Sequence, residues 1–177
     1  MHIFKHFITI TKHRHMVMRY CFKIGLIKQG LLHDLSKYSP IEFFNGAKYY
    51  EGTRSPHHQE RGDKGYSEAW MHHKGRNRHH GEYWTDYNVI TKSYQPVPMP
   101  KKYVAEMFCD RIAASKNYNK GHFTSNMPLD YFLKGDTILH DKTKEEILLL
   151  LTMYQDKGEK ETLQYIKKIY LKKVDKK

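Results

Sequence analysis

The sequence predicts an all-α fold. Apolar residues recur at three- and four-residue spacing in segment after segment, helix-starting residues stand before several of them, and no convincing alternating strand pattern occurs. With 177 residues, 39% of them hydrophobic and 14% aromatic, the chain is expected to form a single domain spanning residues 1–177 with its own core.

Residues 3–29 read as one long helix or two joined helices. His13, Val17, Tyr20, Cys21 and Ile24 share a face, and Gly25 and Gly30 can end or bend it. Ser39-Pro40 opens a second helix that runs to about Tyr50, with Ser39 as N-cap and Glu42 strengthening the first turn. Residues 51–66, with their glycines and charges, read as a surface loop. Ser67 caps a short helix to His73. Gln95 to Pro100 is extended and leads into a helix over about 101–119, and Pro128 begins another short one. Thr143 and Glu146 suggest a capping box before Ile147 to Leu151, and a basic helix follows Gly158. The metal-site core is thus expected over about 13–115, with C-terminal helices over about 127–175.

The net charge of +12 points to an anionic partner or substrate. Cys21 and Cys109 lie in helical segments, so no disulfide framework is implied and a reducing, cytoplasmic setting is expected. The first ten residues do not read as a signal peptide, and no apolar run is long enough to span a membrane, so no membrane partner is expected.

His33-Asp34, entered from the apolar run Gly30-Leu31-Leu32, is the most informative pair. Either side chain buried without a partner would cost several kcal/mol, and one divalent cation would serve both. His13 lies on the apolar face of the first helix, whereas His15 points about 160° away, so His13 is the better ligand and His15 the reserve. Four histidines, His72, His73, His79 and His80, fall within nine residues, with Lys74, Arg76 and Arg78 among them. The pairs 73/80 and 72/79 are both seven apart, and the choice between them stays open. The alternative is a solvated, pH-sensitive patch. Asp110 shares a helical face with Met107, Ala113 and Ala114 and needs a partner there, either a metal or a basic side chain such as Arg111. The candidate ligands are His13, His33, Asp34, His73, His80 and Asp110, with His15, and His72 with His79, as the alternatives.

The order His, then His-Asp, then further histidines, then a helix-borne Asp resembles the HD-domain superfamily of metal-dependent enzymes. Val17 four residues after His13, Lys37 three after Asp34, and Met99-Pro100 before the Asp110 helix add to the likeness, and the histidine pairs resemble its bimetallic branch. The stretches 30–40 and 72–80 also look like a family of uncharacterised bacterial proteins, which brings no activity with it. The resemblance implies a compact HD-like helical bundle around a metal site that activates water for hydrolysis of a nucleotide or other phosphate ester.

One or two divalent ions would serve, and mixed nitrogen and oxygen ligation does not choose among manganese, iron and zinc. Asp34 and Lys37 are the expected catalytic residues, and Lys37, Lys74, Arg76 and Arg78 the expected contacts to an anionic, phosphate-containing small molecule. Two other classes stand beside this enzyme reading. One is an HD-type diiron oxygenase. The other is a non-catalytic nucleotide- or nucleic-acid-binding module, which the charge encourages although much of that charge lies in the tail.

Overall fold

The computed structural model describes residues 1–135 and 137–172, and they are mostly helical. Helix α1 (Ile3–Ile24) ends at Gly25 with φ +88°, where Gly25 N bonds Phe22 O and Leu26 N bonds Cys21 O, a Schellman ending. That stop divides the expected long segment into α1 and a short α2 (Ile27–Leu32). Gly30 lets α2 lie against α1, since a Cβ there would sit 3.0 Å from the Cys21 Cβ. A 3-10 turn (Leu35–Tyr38) leads to α3 (Pro40–Lys48). Proline does occupy the first turn of α3, but Ser39 makes no side-chain cap bond, and its hydroxyl has no hydrogen-bond partner.

Residues 51–66 are not only loop. Pro56 and Gly65 (φ +78°) bound a helix, α4 (Pro56–Lys64), whose buried residue is Glu60 rather than an apolar side chain. No hydrophobic stripe announces it. Helix α5 (Glu68–Lys74) is capped as expected, with Ser67 Oγ accepting from Trp70 N.

A two-stranded antiparallel hairpin, β1 (Thr85–Asn88) and β2 (Ser93–Pro96), corrects the expectation of no strand. Both faces of the hairpin are largely exposed, so no apolar alternation marks it; Tyr87 and Tyr94 pair across it.

Helices α6 (Lys101–Tyr118), α7 (Met127–Lys134) and α8 (Asp141–Lys168) complete the described chain, apart from a last 3-10 turn. The expected capping box does not form. His140 is the N-cap, its Nδ1 accepting from Lys142 N, while Thr143 Oγ1 accepts from Met99 N and Glu146 accepts from the Tyr170 hydroxyl. Gly158 (φ +77°) interrupts α8, and the basic segment follows as its second half. The expected C-terminal end near residue 175 lies outside the described residues.

The core is where α1, α6 and α8 meet. Val17, Cys21 and Ile24 pack with Val104, Phe108 and Ile112 and with Ile147, Leu150 and Leu151, all essentially inaccessible. Leu129 and Phe132 of α7 close one side. Both cysteines are free and buried. Among the described residues, no helix is long and apolar enough to cross a membrane.

Candidate metal centre

Asp34 stands at the middle of the site. Its backbone is left-handed, φ +53°, one of two non-glycine residues with positive φ among those described. Aspartate tolerates this conformation better than most residues, at a cost of roughly 1–2 kcal/mol. The turn lets His33 and Asp34, neighbours in sequence, both face inward. Each is at most 2% exposed.

The structure brings the expected ligands together in two groups that share Asp34. On one side are His13 from α1, His33 from the end of α2, and Asp110 from α6. His13 Nε2 lies 2.9 Å from Asp110 Oδ1 and 3.9 Å from Asp34 Oδ2. His33 Nε2 lies 3.4 Å from Asp34 Oδ2 and 3.6 Å from Asp110 Oδ1. On the other side, His73 Nε2 and His79 Nε2 approach Asp34 Oδ1 at 3.3 and 3.4 Å, and His80 Nε2 is 2.9 Å from His73 Nε2. His13 therefore faces the site as its helical face requires, and His15 is exposed. Arg111 does not pair with Asp110; its guanidinium lies over the Phe132 ring.

Two side chains of the cluster, Glu106 and Glu42, were not among the candidates, and a third, His79, stood only in the alternative pair. His79 joins the cluster together with His73 and His80, so neither seven-residue pair is the whole answer. Glu106, one turn before Asp110 on α6, binds His33 Nδ1 at 2.9 Å and approaches His79 Nδ1 at 3.3 Å. Glu42, expected only to strengthen a helix start, is buried and binds His73 Nδ1 at 2.7 Å and His72 Nδ1 at 2.6 Å. His72 is thereby turned away from Asp34. A carboxylate on one ring nitrogen fixes the tautomer and leaves the other nitrogen free to act as a donor to a cation, the usual support of a metal-ligating histidine. The i, i+4 spacing of Glu106 and Asp110 was the available signal.

The polar balance is unusual. Seven buried side-chain atoms lack a hydrogen-bond partner among the described residues. Four of them belong here: His33 Nε2, His79 Nε2 and both oxygens of Asp34. Buried polar atoms are nearly always paired, so four orphans converging on one carboxylate fit a bound cation. Lys37 Nζ lies 2.6 Å from Asp34 Oδ2, near enough to pair charges though without hydrogen-bond alignment.

Burial pushes the Asp34 carboxyl up, but His33, Lys37 and His73 outweigh it and hold the group well below the usual range. Burial likewise opposes charge on His33, yet Asp34, Asp110 and Glu106 push its pKa up to about 10. His80, buried beside His79 and His73, is driven well below the ordinary imidazole value. The side chains of Lys37 and Asp110 are 24% and 18% exposed, so solvent reaches the cluster on their side.

The other expected cations are not gathered in. Arg76 is exposed and donates to His72 O. Arg78 is exposed, donates to the Tyr103 hydroxyl and lies over the rings of Tyr83 and Tyr103. Lys74 is half-buried at the end of α5.

A protein-family model described as a family of unknown function (DUF5662) matches residues 2–153. No curated protein and no solved structure matches the chain.

Proposed function

The chain belongs to the DUF5662 family, whose function is unknown, and we propose that it is a metal-dependent hydrolase of phosphate esters with an HD-type centre. The observation that carries the reading is Asp34, whose two buried oxygens lack hydrogen-bond partners and face separate donor groups. His13, His33, Asp34 and Asp110 would hold one divalent ion, and Asp34, His73, His79 and His80 a second. Bound there, such ions lower the pKa of water and polarise a phosphoryl oxygen. The likeness to the HD order supports the same reading, now with His79 added to the ligands.

The protein's own groups divide the remaining work. Glu106 and Glu42 hold the rings of His33, His79 and His73 with their donor nitrogens toward Asp34. Lys37 pairs with Asp34 and reaches solvent, so a phosphate oxygen arriving from that side meets its ammonium first. Arg76 and Arg78, on the loop between the two histidine clusters, are the outer cations of this proposal and would have to turn inward to touch substrate. The substrate is anionic and small, and the setting is cytoplasmic.

The test is elemental analysis of freshly purified protein, followed by a screen of phosphate esters with added manganese, iron or zinc under strictly anaerobic conditions. Metal-dependent phosphate release supports the proposal. Bound iron with a visible or EPR signal, and turnover only with oxygen, would replace it with a diiron oxygenase. Binding of nucleic acid without metal or turnover would replace it with a binding module.

A further inference from the structure

The first 33 residues contain Lys5, Lys12, Arg14, Arg19, Lys23 and Lys28 and no aspartate or glutamate; Asp34 is the first acidic residue. This segment forms α1 and α2, and its outer face is apolar as well as basic. Phe4, Ile8, His15 and Phe22 form an exposed stripe along α1, opposite the stripe of His6, His13, Val17 and Ile24 that is buried. Phe4 is 82% and Ile8 50% exposed.

Lys5, Lys12 and Arg19 follow that stripe at about 60–100° around the helix from Phe4. They make no ion pair among the described residues. The neighbouring segment extends the same face. Thr11 bonds the Tyr38 hydroxyl, Phe7 packs on Tyr38 and Phe43, and Arg14 binds the carbonyls of Leu31 and His33. These contacts set Leu31, Leu32 and Leu35 alongside α1, each about half exposed. Farther along, Lys160, Lys167 and Lys168 line a groove with Lys23, which is paired there with Glu159.

Exposed apolar side chains flanked by Lys5, Lys12 and Arg19, which make no ion pair among the described residues, need an occupant that is apolar and anionic together. A second copy meeting this face across a two-fold axis would set like charge against like charge. Nucleic acid would satisfy the cations but gives Ile8, Leu31 and Leu32 nothing to enter. The interface of a bilayer containing anionic phospholipid satisfies both. We propose that this face docks on an anionic phospholipid surface, with Phe4, Ile8 and their neighbours entering the interface and Lys5, Lys12 and Arg19 meeting lipid phosphates. The association is peripheral and independent of the metal centre, whose one donor on α1, His13, lies on the buried stripe.

The test is cosedimentation of the full chain with vesicles of phosphatidylcholine alone and of phosphatidylcholine mixed with phosphatidylglycerol. The protein should pellet with the anionic vesicles, release as salt rises, and stay in solution with the neutral ones. Phe4→Ser with Ile8→Ser should weaken partitioning by roughly tenfold or more, with helicity by circular dichroism and metal content unchanged. Lys5→Glu with Lys12→Glu should do the same. Equal partitioning to both vesicles, or none to either, would overturn the proposal. So would a dimer in solution that Phe4→Ser with Ile8→Ser dissociates, or salt-sensitive RNA binding that those substitutions abolish in place of vesicle binding.

Discussion

Two polar clusters join helices α1 and α6 about two turns apart on α1, and they are completed differently. At the lower one, Tyr20 donates to Glu159, Lys116 donates to both Tyr20 and Glu159, and Lys23 adds a third bond to that carboxylate. Every group there has a partner within the protein. At the upper one, His13 and Asp110 bond each other, but the adjoining His33 Nε2, His79 Nε2 and Asp34 oxygens do not find aligned partners. The same pair of helices thus carries one polar cluster that is finished by the fold and one that is not. A closed network positions helices; a buried cluster left open, with its histidines held from behind by Glu106 and Glu42, fits the cation binding proposed for it.

The comparison is broken most severely at Asp34. Asp34→Ala should abolish metal binding and metal-dependent turnover together, and remove the rise in Tm that metal gives the wild type. That rise should correspond to about 2.7 kcal/mol at a hundredfold excess of metal over Kd. Thermal scans with and without metal check it, and an unchanged metal response would place the cation elsewhere. Glu106→Gln should be milder, lowering metal affinity on the order of 10- to 100-fold because two rings lose their orienting carboxylate. Competition with a chelator reads this directly.

A pH series on metal-free protein sharpens the contrast. The pKa of His33 rises from 6.5 to about 10 on folding, so its charged form stabilises the fold. That contribution is complete below 6.5 and is lost as pH rises toward about 10. His73 is raised too, while His13 and His80 are lowered and act below 6.5, outside this window. Metal-free protein should therefore lose Tm above 6.5, and metal-loaded protein, in which the cation replaces the proton, should lose less.

The smallest effect belongs to the closed cluster. Glu159 has a pKa lowered from 4.5 to about 2, chiefly by Lys116 and Lys23 against the opposing effect of burial. Glu159→Gln should lower Tm modestly above 4.5 and leave metal content alone, and its difference from wild type should vanish as pH falls toward about 2.

What could be read from the sequence follows the same division. The α1, α6 and α8 segments announce themselves because their buried stripes are apolar, and His13 is distinguishable from His15 because one helical face is apolar and the other is not. Helix α4 is hidden because the residue it buries is Glu60, and the β1–β2 hairpin because it buries little. In the site, His33, Asp34 and Asp110 stand out as polar residues in apolar surroundings. His79 does not, because a loop rather than a helix orients it beside His80. Glu106 and Glu42 look like ordinary helix-surface acids until the tertiary structure sets them behind the histidines. Arg76 and Arg78, close to the histidines in sequence, point elsewhere in space.

Metal counting by elemental analysis tests the central claim most directly, on wild type, His13→Ala, His80→Ala and Asp34→Ala prepared side by side. Two ions per chain are expected in the wild type, about one in each histidine variant, and none in Asp34→Ala, because the two donor groups share that carboxylate. Wild-type protein that binds no divalent ion, or an Asp34→Ala variant that keeps both, would contradict it.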